Sequence, residues 1–293
     1  MRLLTEHAPR GEQLHRILQL DPVTDCAEIY RITALFELPW EMQLGHNLGY
    51  YQTLAAPRIA ALLVQTQEIE RRPRKRAYDT GLLMYELFTH GFDHPQGRAV
   101  VRRLNQLHRG HDISNEDFLY VLAAFAVVPT RFINRYGWRR LTAHETTATW
   151  AFYAELARRM NLRDVPDSYA ALEALFHNYE QQHLHPTAGS KHLMDATQGV
   201  LADRLPGPLR PLADVAVSTL LDPPTRAALG LLPPPPVAPA LLTAALRVRG
   251  AVVRRRPPRL EPWFTSGQPA GPYPDGYALE DLGPTETFTR RLH

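Results

Sequence analysis

The chain has 293 residues, of which 44% are apolar and 22% are charged, and its formal net charge is only +3. This composition is typical of a globular protein and excludes a disordered chain, while so small a net charge disfavours a dedicated nucleic-acid-binding protein. A single cysteine, Cys26, excludes an internal disulfide framework and leaves too few thiolates for a cysteine-based metal site. Residues 1–22 carry no apolar stretch, so we expect no signal peptide or membrane anchor and a cytoplasmic location.

Helical periodicity dominates from Ala27 to Leu205, and no run of residues alternates in the manner of a strand. We therefore predict an all-α fold built as a single large multi-helix domain. Helices are expected over residues 12–20, 25–37, 41–54, 57–71, 77–90, 96–109, 115–134, 143–160, 168–184, 190–204, 208–220 and 238–254.

Prolines become frequent after Leu205 and interrupt the helical pattern. We predict three parts: an N-terminal extension at residues 1–24, a helical domain at 25–256 and an extended, proline-rich tail at 257–293. Four aromatic residues are expected to anchor this tail on the body of the protein: Trp263, Phe264, Tyr273 and Tyr277.

Two helix starts are marked by a hydroxyl residue followed three positions later by an acid. Ser114 precedes Asp117, and Thr142 precedes Glu145 in a full capping box. Such side chains satisfy the free backbone N–H groups of a first helical turn. The pattern therefore predicts helices that begin directly after Ser114 and Thr142.

The helix expected from about Glu116 to Ile133 is apolar all round between Phe118 and Val128. A helix of this kind in a water-soluble protein is buried on most sides. Its small residues, among them Ala123, would allow close approach of neighbouring helices or of a flat ligand. An ordinary core helix is the simpler interpretation.

The preceding helix carries a polar line formed by Arg102, Asn105 and His108, beside an apolar stripe that contains Leu104. An amide and an imidazole near the core are costly unless they are hydrogen-bonded or liganded. His108 is therefore either a core histidine with a hydrogen-bond partner or a ligand or proton-transfer group.

One helix earlier, Glu86 and His90 lie one turn apart on one face. A carboxylate in such a place could serve as a general base if its pKa is set by burial. The alternative is a buried salt bridge from Glu86 to Arg102 or Arg103 that ties two helices together. The sequence leaves both interpretations open.

Several motifs, in their order and spacing, resemble the MpaB-type oxygenase family, which shares its catalytic domain with the rubber oxygenases, or latex clearing proteins. The likeness runs from about Ala27 to Gly199. The motifs are Ala77–Thr80, Glu86, His90–Asp93, Arg102–His108, Ile113–Val121, Pro129 and Arg135–Arg139.

This resemblance implies a catalytic carboxylate at Glu86, a haem b cofactor, an arginine of the haem pocket at Arg102, and Asn105 where a lysine approaches the iron. The position of the axial histidine corresponds to Ala123, so this chain has no histidine there. Iron in haem needs a donor such as His, Cys, Met or Tyr. The buried helix offers only Tyr120.

Either His108 or His90 could then serve as the axial ligand, and of the two we assign His108 to the iron. Alternatively, haem is absent and the chemistry differs. The cofactor-binding residues implied by the resemblance are His108, His90, Arg103 and Tyr120, and the catalytic ones are Glu86, Arg102, Asn105 and His108.

We therefore expect an oxygenase-type oxidoreductase that oxidises or cleaves a hydrophobic, isoprenoid-like small molecule, with no nucleic-acid partner. The alternative is a non-redox helical protein of the same fold that binds a lipophilic ligand without haem.

Two further patterns leave alternatives open. Four histidines between His177 and His192 could bind a metal, or simply form a solvated helix end. Residues 239–256 combine leucines and valines with arginines, which would suit peripheral contact with an anionic membrane surface. A terminal helix that packs on the body with a basic outer face would show the same composition.

Overall fold

The computed structural model describes residues 11–202 and 207–284. These stretches contain fourteen α-helices and no β-strand, and their one strand-like pairing is an isolated antiparallel bridge between Ala270 and Tyr273. The predicted all-α fold is therefore confirmed. Parts of three predicted segments lie outside the described residues: positions 1–10 of the extension, 203–204 of the helix over 190–204, and 285–293 of the tail.

The helices are α1 (Glu12–Gln19), α2 (Cys26–Ile32), α3 (Pro39–Leu54), α4 (Pro57–Thr66), α5 (Glu68–Arg71), α6 (Pro73–His90), α7 (Pro95–His108), α8 (Asn115–Tyr136), α9 (Ala143–Arg159), α10 (Tyr169–His183), α11 (Ala188–Ala202), α12 (Ala213–Leu220), α13 (Pro223–Ala228) and α14 (Ala238–Arg254). A π-helical turn (Thr33–Glu37) extends α2, and 3-10 turns cover Gly207–Leu212 and Leu279–Asp281. Within the described stretches, each helix is either too short or too polar to cross a lipid bilayer.

Several boundaries differ from the prediction for identifiable reasons. The helix predicted over 57–71 divides at Gln67, whose backbone is left-handed with φ of 54°. α6 begins at Pro73 rather than residue 77, and α13, which was not predicted, begins at Pro223. Proline is tolerated in the first helical turn because its missing N–H would have no partner there. Pro223, one of the prolines interpreted as interrupting the helical pattern, therefore starts a helix.

The central helix α8 forms the middle of the core, as its composition predicts. Ser114 caps it by accepting a hydrogen bond from the Asp117 N–H at 3.0 Å. α3 packs closely along α8, because a Cβ atom on Gly45 would lie 2.5 Å from the Cα of Pro129, and one on Gly49 would lie 3.1 Å from the Ala124 carbonyl oxygen. Glycine at these positions and the small residues of α8 allow the two helices to touch.

A buried ion cluster fixes the far end of α8 to its neighbours. Arg139 Nε donates to Glu37 at 3.0 Å, and Arg139 Nη1 donates to Glu145 at 2.7 Å. Glu145 also completes the predicted capping box with Thr142. Burial alone would raise the pKa of Glu145, but the Arg139 guanidinium and the surrounding donors lower it overall. Loss of one partner of such a buried cluster costs about 3–5 kcal/mol.

α14 packs against this body through one face. Leu246 is buried, and a Cβ atom on Gly250 would lie 3.4 Å from the Trp138 Cα. Arg249 donates to Glu41 at 2.7 Å with its guanidinium 3.6 Å from the centre of the Trp40 ring.

Residues 257–284, here called the C-terminal segment, then cross the surface of α6 and α7. Its aromatic residues Phe264, Tyr273 and Tyr277 pack against the core, while Trp263 is 40% exposed.

Candidate functional site

A cavity of about 220 Å³ lies between α3, α6 and α8, and the C-terminal segment closes one side of it. Its walls are mainly apolar, and among the described residues every side chain that lines it is uncharged. The main lining residues are His46, Asn47, Tyr50 and Tyr51 of α3, Tyr78, Leu82 and Tyr85 of α6, Phe125 of α8, and Trp263, Phe264 and Ala270. A concave, apolar site with a few polar groups is the usual form of a small-molecule site.

His46 is the main polar group of the cavity and was missed in the sequence. Its Nε2 lies 3.1 Å from the Tyr153 hydroxyl and 3.3 Å from the Tyr30 hydroxyl, which fixes the orientation of the ring. Burial lowers the pKa of His46 to about 3, and the backbone of Met42 only partly opposes this shift. The imidazole is therefore neutral at neutral pH.

Two buried polar atoms of the cavity lack partners among the described residues. Although the Met42 backbone is near the His46 ring, His46 Nδ1 makes no hydrogen bond of normal geometry, and neither does the Tyr50 hydroxyl. Burial raises the pKa of Tyr50, so its hydroxyl keeps its proton. Buried polar atoms are almost always paired, and these two lie one helical turn apart on α3. They can therefore hold a polar group of a bound molecule.

The pattern that could have revealed this site is visible in α3. His46, Asn47, Tyr50 and Tyr51 recur at the spacing of one helix face, in a helix that is otherwise strongly buried.

Glu86 is buried, but its carboxylate is directed at the C-terminal segment. The Tyr277 hydroxyl donates to Glu86 Oε1 at 2.5 Å, and the Ser266 hydroxyl donates to Oε2 at 2.7 Å. Burial raises the pKa of Tyr277, and the Glu86 carboxylate beside it raises that pKa further. Of the two interpretations left open for Glu86, the salt bridge to Arg102 or Arg103 is not found: the carboxylate accepts from Tyr277 and Ser266 instead.

A second acidic residue of α6 holds the same segment. Asp79 accepts hydrogen bonds from the Tyr273 hydroxyl at 2.5 Å and from the Gly283 N–H at 2.9 Å. Lys75 donates to Asp79 at 2.7 Å and to the Gly283 carbonyl oxygen at 2.7 Å. Residues 72–76, which lie between the helices predicted over 57–71 and 77–90, instead mostly belong to α6, and Lys75 helps to anchor the segment.

The two candidate arginines of α7, Arg102 and Arg103, lie in different surroundings. Arg103 donates through Nε and Nη2 to the Leu282 carbonyl oxygen, at 3.0 and 2.8 Å. Arg102 is exposed to solvent. Neither lines the cavity, so their implied roles toward a cofactor find no support in their positions.

The remaining candidates of the polar line also lie outside the cavity. Asn105 donates to the Arg159 carbonyl oxygen at 3.1 Å and so joins α7 to the end of α9. His108 Nδ1 donates to the Leu104 carbonyl oxygen at 2.8 Å, and burial lowers the pKa of His108. Both are polar residues with satisfied partners.

Tyr120 and His90 are equally separate from the cavity. Tyr120 is fully buried, stacks on Tyr179 with ring centres 3.9 Å apart, and donates to the Gln52 carbonyl oxygen at 3.4 Å. His90 stacks on His94, and its Nε2 lies 3.3 Å from Glu86 Oε2 without forming a hydrogen bond of normal geometry. The predicted site residues therefore lie apart: some hold the C-terminal segment, others join helices or lie in the core, and Arg102 is exposed.

The described residues contain no cluster of side chains that could hold a metal ion. Across residues 11–202 and 207–284, no three His, Cys, Asp or Glu side chains are grouped closely enough to hold an ion. Of the predicted histidine cluster, His183 lies 3.1 Å from Glu116 and His192 lies 3.1 Å from Glu70.

Haem can be tested against the same geometry. An axial histidine must be neutral with an available nitrogen. His46 meets this condition through Nδ1, and His108 meets it through Nε2, because its Nδ1 carries the proton given to Leu104. The cavity, however, is smaller than the roughly 300 Å³ at which pockets for drug-sized ligands begin, and a porphyrin is larger than most such ligands. With the C-terminal segment in place, the cavity does not fit a haem.

The structure is that of an all-helical protein with an internal cavity whose walls are mainly apolar. A sequence model described as "ER-bound oxygenase mpaB/B'/Rubber oxygenase, catalytic domain" matches residues 42–255. The chain belongs to this family, as its motifs predict.

Named relatives agree with the assignment. The chain is 26% identical over 250 residues to the ER-bound oxygenase mpaB' of Penicillium brevicompactum, across 79% of this chain and 59% of that protein. It is also 26% identical over 213 residues to the ER-bound oxygenase mpaB of Penicillium roqueforti, across 67% of this chain and 72% of the relative.

A solved structure of a latex clearing protein in its closed state is similar in fold. The TM-score is 0.60 at 17% sequence identity, with 87% of this chain and 70% of the other covered.

Proposed function

We propose that this chain is an oxygenase-type oxidoreductase that acts on a hydrophobic, isoprenoid-like molecule carrying one polar group, bound in the cavity between α3, α6 and α8. The observation that carries the proposal is the pair of unpartnered atoms, His46 Nδ1 and Tyr50 Oη, in an otherwise apolar cavity of an oxygenase-family protein. The reaction class and the isoprenoid-like character of the substrate are implied by the family resemblance, and the polar group on the substrate is suggested by the cavity.

The residues of the chain would bind and orient the substrate. Leu82, Phe125 and Phe264 form apolar walls that exclude water from the hydrocarbon part. Tyr50 donates its hydroxyl hydrogen to the polar group, and the neutral His46 ring, held by Tyr153, lies beside it. Such polar contacts fix the position and orientation of a long hydrocarbon, which apolar walls alone would not determine.

The test uses farnesol and farnesene, two prenyl compounds that differ in the polar group. Quenching of tryptophan fluorescence measures binding, and oxygen uptake with mass spectrometry of products measures oxidation. We expect farnesol to bind more tightly than farnesene, and Tyr50→Phe to weaken farnesol alone by roughly threefold to tenfold, as for loss of one hydrogen bond.

Tyr136→Phe is the matched control, because the Tyr136 ring is buried outside the cavity. Equal binding of farnesol and farnesene, unchanged in Tyr50→Phe, would contradict the proposed orientation.

The alternative is a non-redox protein that binds a lipophilic ligand. It is favoured by the state of Glu86, whose carboxylate is engaged by Tyr277 and Ser266. Saturable farnesol binding with no oxygen uptake, with or without added haemin, would select this alternative.

Haem b, which the resemblance implies, is a separate hypothesis that requires the C-terminal segment to move off the cavity. Soret absorbance of the purified protein with added haemin tests it, and His46→Ala, His108→Ala and His90→Ala identify the axial donor. A protein that takes up no haemin would remove the hypothesis.

A cytoplasmic location remains part of the proposal. It is supported by the presence of a single cysteine, Cys26, in the sequence. Cell fractionation checks the location.

A further inference from the structure

α14 has two apolar faces, and only one of them is packed. Leu246 and Gly250 face the body, where Gly250 approaches Trp138. Leu241, Val248 and Val252 are 66%, 65% and 44% exposed. At 3.6 residues per turn these three fall on the opposite side of the helix, in one row. A basic outer face, one of the two alternatives left open by the sequence, therefore does not describe the centre of this face, which is apolar.

Arginines border this exposed row. Arg247 lies on α14 next to Val248, Arg255 and Arg256 directly follow the C-terminal end of the helix, and all three are exposed. The helix cannot rotate to hide the row, because Arg249 is held by Glu41 and Arg254 donates to the Trp138 carbonyl oxygen at 2.7 Å.

The charge of this region has one sign. From Pro223 to Leu260 the sequence contains no acidic residue and seven arginines. The connections on either side of α14 also expose apolar side chains, Val237 at 64% and Leu260 at 68%. An apolar row with a cationic border, on a helix too short to span a bilayer, is the pattern of a helix that lies in a membrane interface.

We propose that the outer face of α14 docks this protein on an anionic lipid surface. The row of Leu241, Val248 and Val252 enters the boundary between headgroups and acyl chains, and the bordering arginines pair with lipid phosphates and carboxylates.

Charge distinguishes this partner from the other candidates. A second copy that docked through the same face would bring arginines against arginines, since a two-fold interface pairs a surface with itself. A nucleic acid would neutralise the arginines but would leave the apolar row without a partner.

The docked face is linked directly to the cavity. Leu260 leads within three residues to Trp263, which is 40% exposed and lines the cavity beside Phe264. Docking through α14 therefore places the closed side of the cavity near the lipid, where a lipophilic molecule is concentrated. The docking itself does not depend on which reaction the cavity supports.

The test is sedimentation of the full chain with phosphatidylcholine vesicles, with and without phosphatidylserine. We expect binding that requires phosphatidylserine and weakens as salt is added. Arg255→Glu combined with Arg256→Glu should reduce partitioning at least tenfold, because each arginine near an anionic surface contributes about fivefold. Leu241→Glu combined with Val248→Glu should reduce it at least tenfold as well.

Matched controls change the same residue types elsewhere on the surface. Leu18→Glu alters an exposed leucine of α1, and Arg109→Glu with Arg140→Glu alters two exposed arginines. All three control substitutions should leave vesicle binding unchanged. Circular dichroism shows that each variant is folded.

Three outcomes would overturn the proposal. The first is equal binding to both kinds of vesicle, or none to either. The second is a dimer in light scattering that Val248→Glu dissociates, which would assign the face to a second copy. The third is binding of duplex DNA, in place of vesicles, that Arg255→Glu with Arg256→Glu abolishes.

Discussion

The engagement of Glu86 by the C-terminal segment makes a quantitative prediction for Tyr277→Phe. This change removes one O–H donor to a buried carboxylate, a bond of 2.5 Å, and leaves the ring in place. A hydrogen bond to a charged group contributes about 1.5–3 kcal/mol. If the segment opens locally, its opening equilibrium should rise roughly 10- to 150-fold.

Native-state hydrogen exchange measures this opening. The reporting amides are those of Trp263, which donates to the Leu35 carbonyl oxygen at 2.8 Å, and of Ala270 and Tyr273, which pair with each other at 3.0 Å. Their exchange should accelerate by that factor in Tyr277→Phe, while amides of α8 keep their protection. Tyr136→Phe, a change outside the segment, should leave all of them unchanged.

A double-mutant cycle separates anchoring by Glu86 from proton transfer. Glu86→Gln should also accelerate exchange in the segment, and adding Tyr277→Phe should cost less than the sum of the single changes because the two residues share one bond. Unchanged exchange in both variants, with oxidation lost in Glu86→Gln alone, would refute the anchoring role and return Glu86 to the role of a general base.

Three further predictions concern the body of the protein. The unfolded chain protonates His46 near pH 6.5, whereas the folded chain protonates it only near pH 3. The free energy of unfolding should therefore fall by roughly 5 kcal/mol as the pH drops through this window. Urea titrations should show a flatter pH profile for His46→Phe. Burial and, after it, the charge of Asp222 raise the pKa of Glu180 from 4.5 to about 7. The folded state therefore holds an extra proton, and the free energy of unfolding should fall as the pH rises through that range. Glu180→Gln should remove roughly 3 kcal/mol of this pH dependence, and an unchanged profile would contradict the prediction. Gly45→Ala should destabilise the protein by about 1–3 kcal/mol through its clash with Pro129, whereas Gly199→Ala, with open space around it, should not lower the melting temperature.

Most of the helices, and the starts of α8 and α9, could be predicted because local chemistry determines them. Ser114 and Thr142 cap helices through neighbours three residues away, and the apolar sequence of α8 is sufficient to place it in the core. The division at Gln67 could not be predicted, because glutamine carries no preference for a left-handed backbone.

The candidate site was harder to predict because its contacts join distant parts of the chain. Helical periodicity places Glu86 and His108 on faces directed toward the core. It does not show which residues from other parts of the chain pack against those faces. The partners of Glu86 are 180 and 191 positions further along the chain. His46 carries a readable signal in α3, because polar side chains recur on one face of a helix that is otherwise strongly buried.

The long separation of these contacts has a consequence for the order of folding. The bonds from Lys75 and Asp79 to Gly283 close loops of more than 200 residues, whereas α3 and α8 are much closer in sequence. Contacts between distant residues form late because the chain must first lose the entropy of closing the loop. During synthesis, α3, α6 and α8 emerge before the C-terminal segment exists, so the site is assembled open and receives its last wall afterwards. A hydrophobic molecule that enters the nascent protein at that stage would be enclosed by the final step of folding.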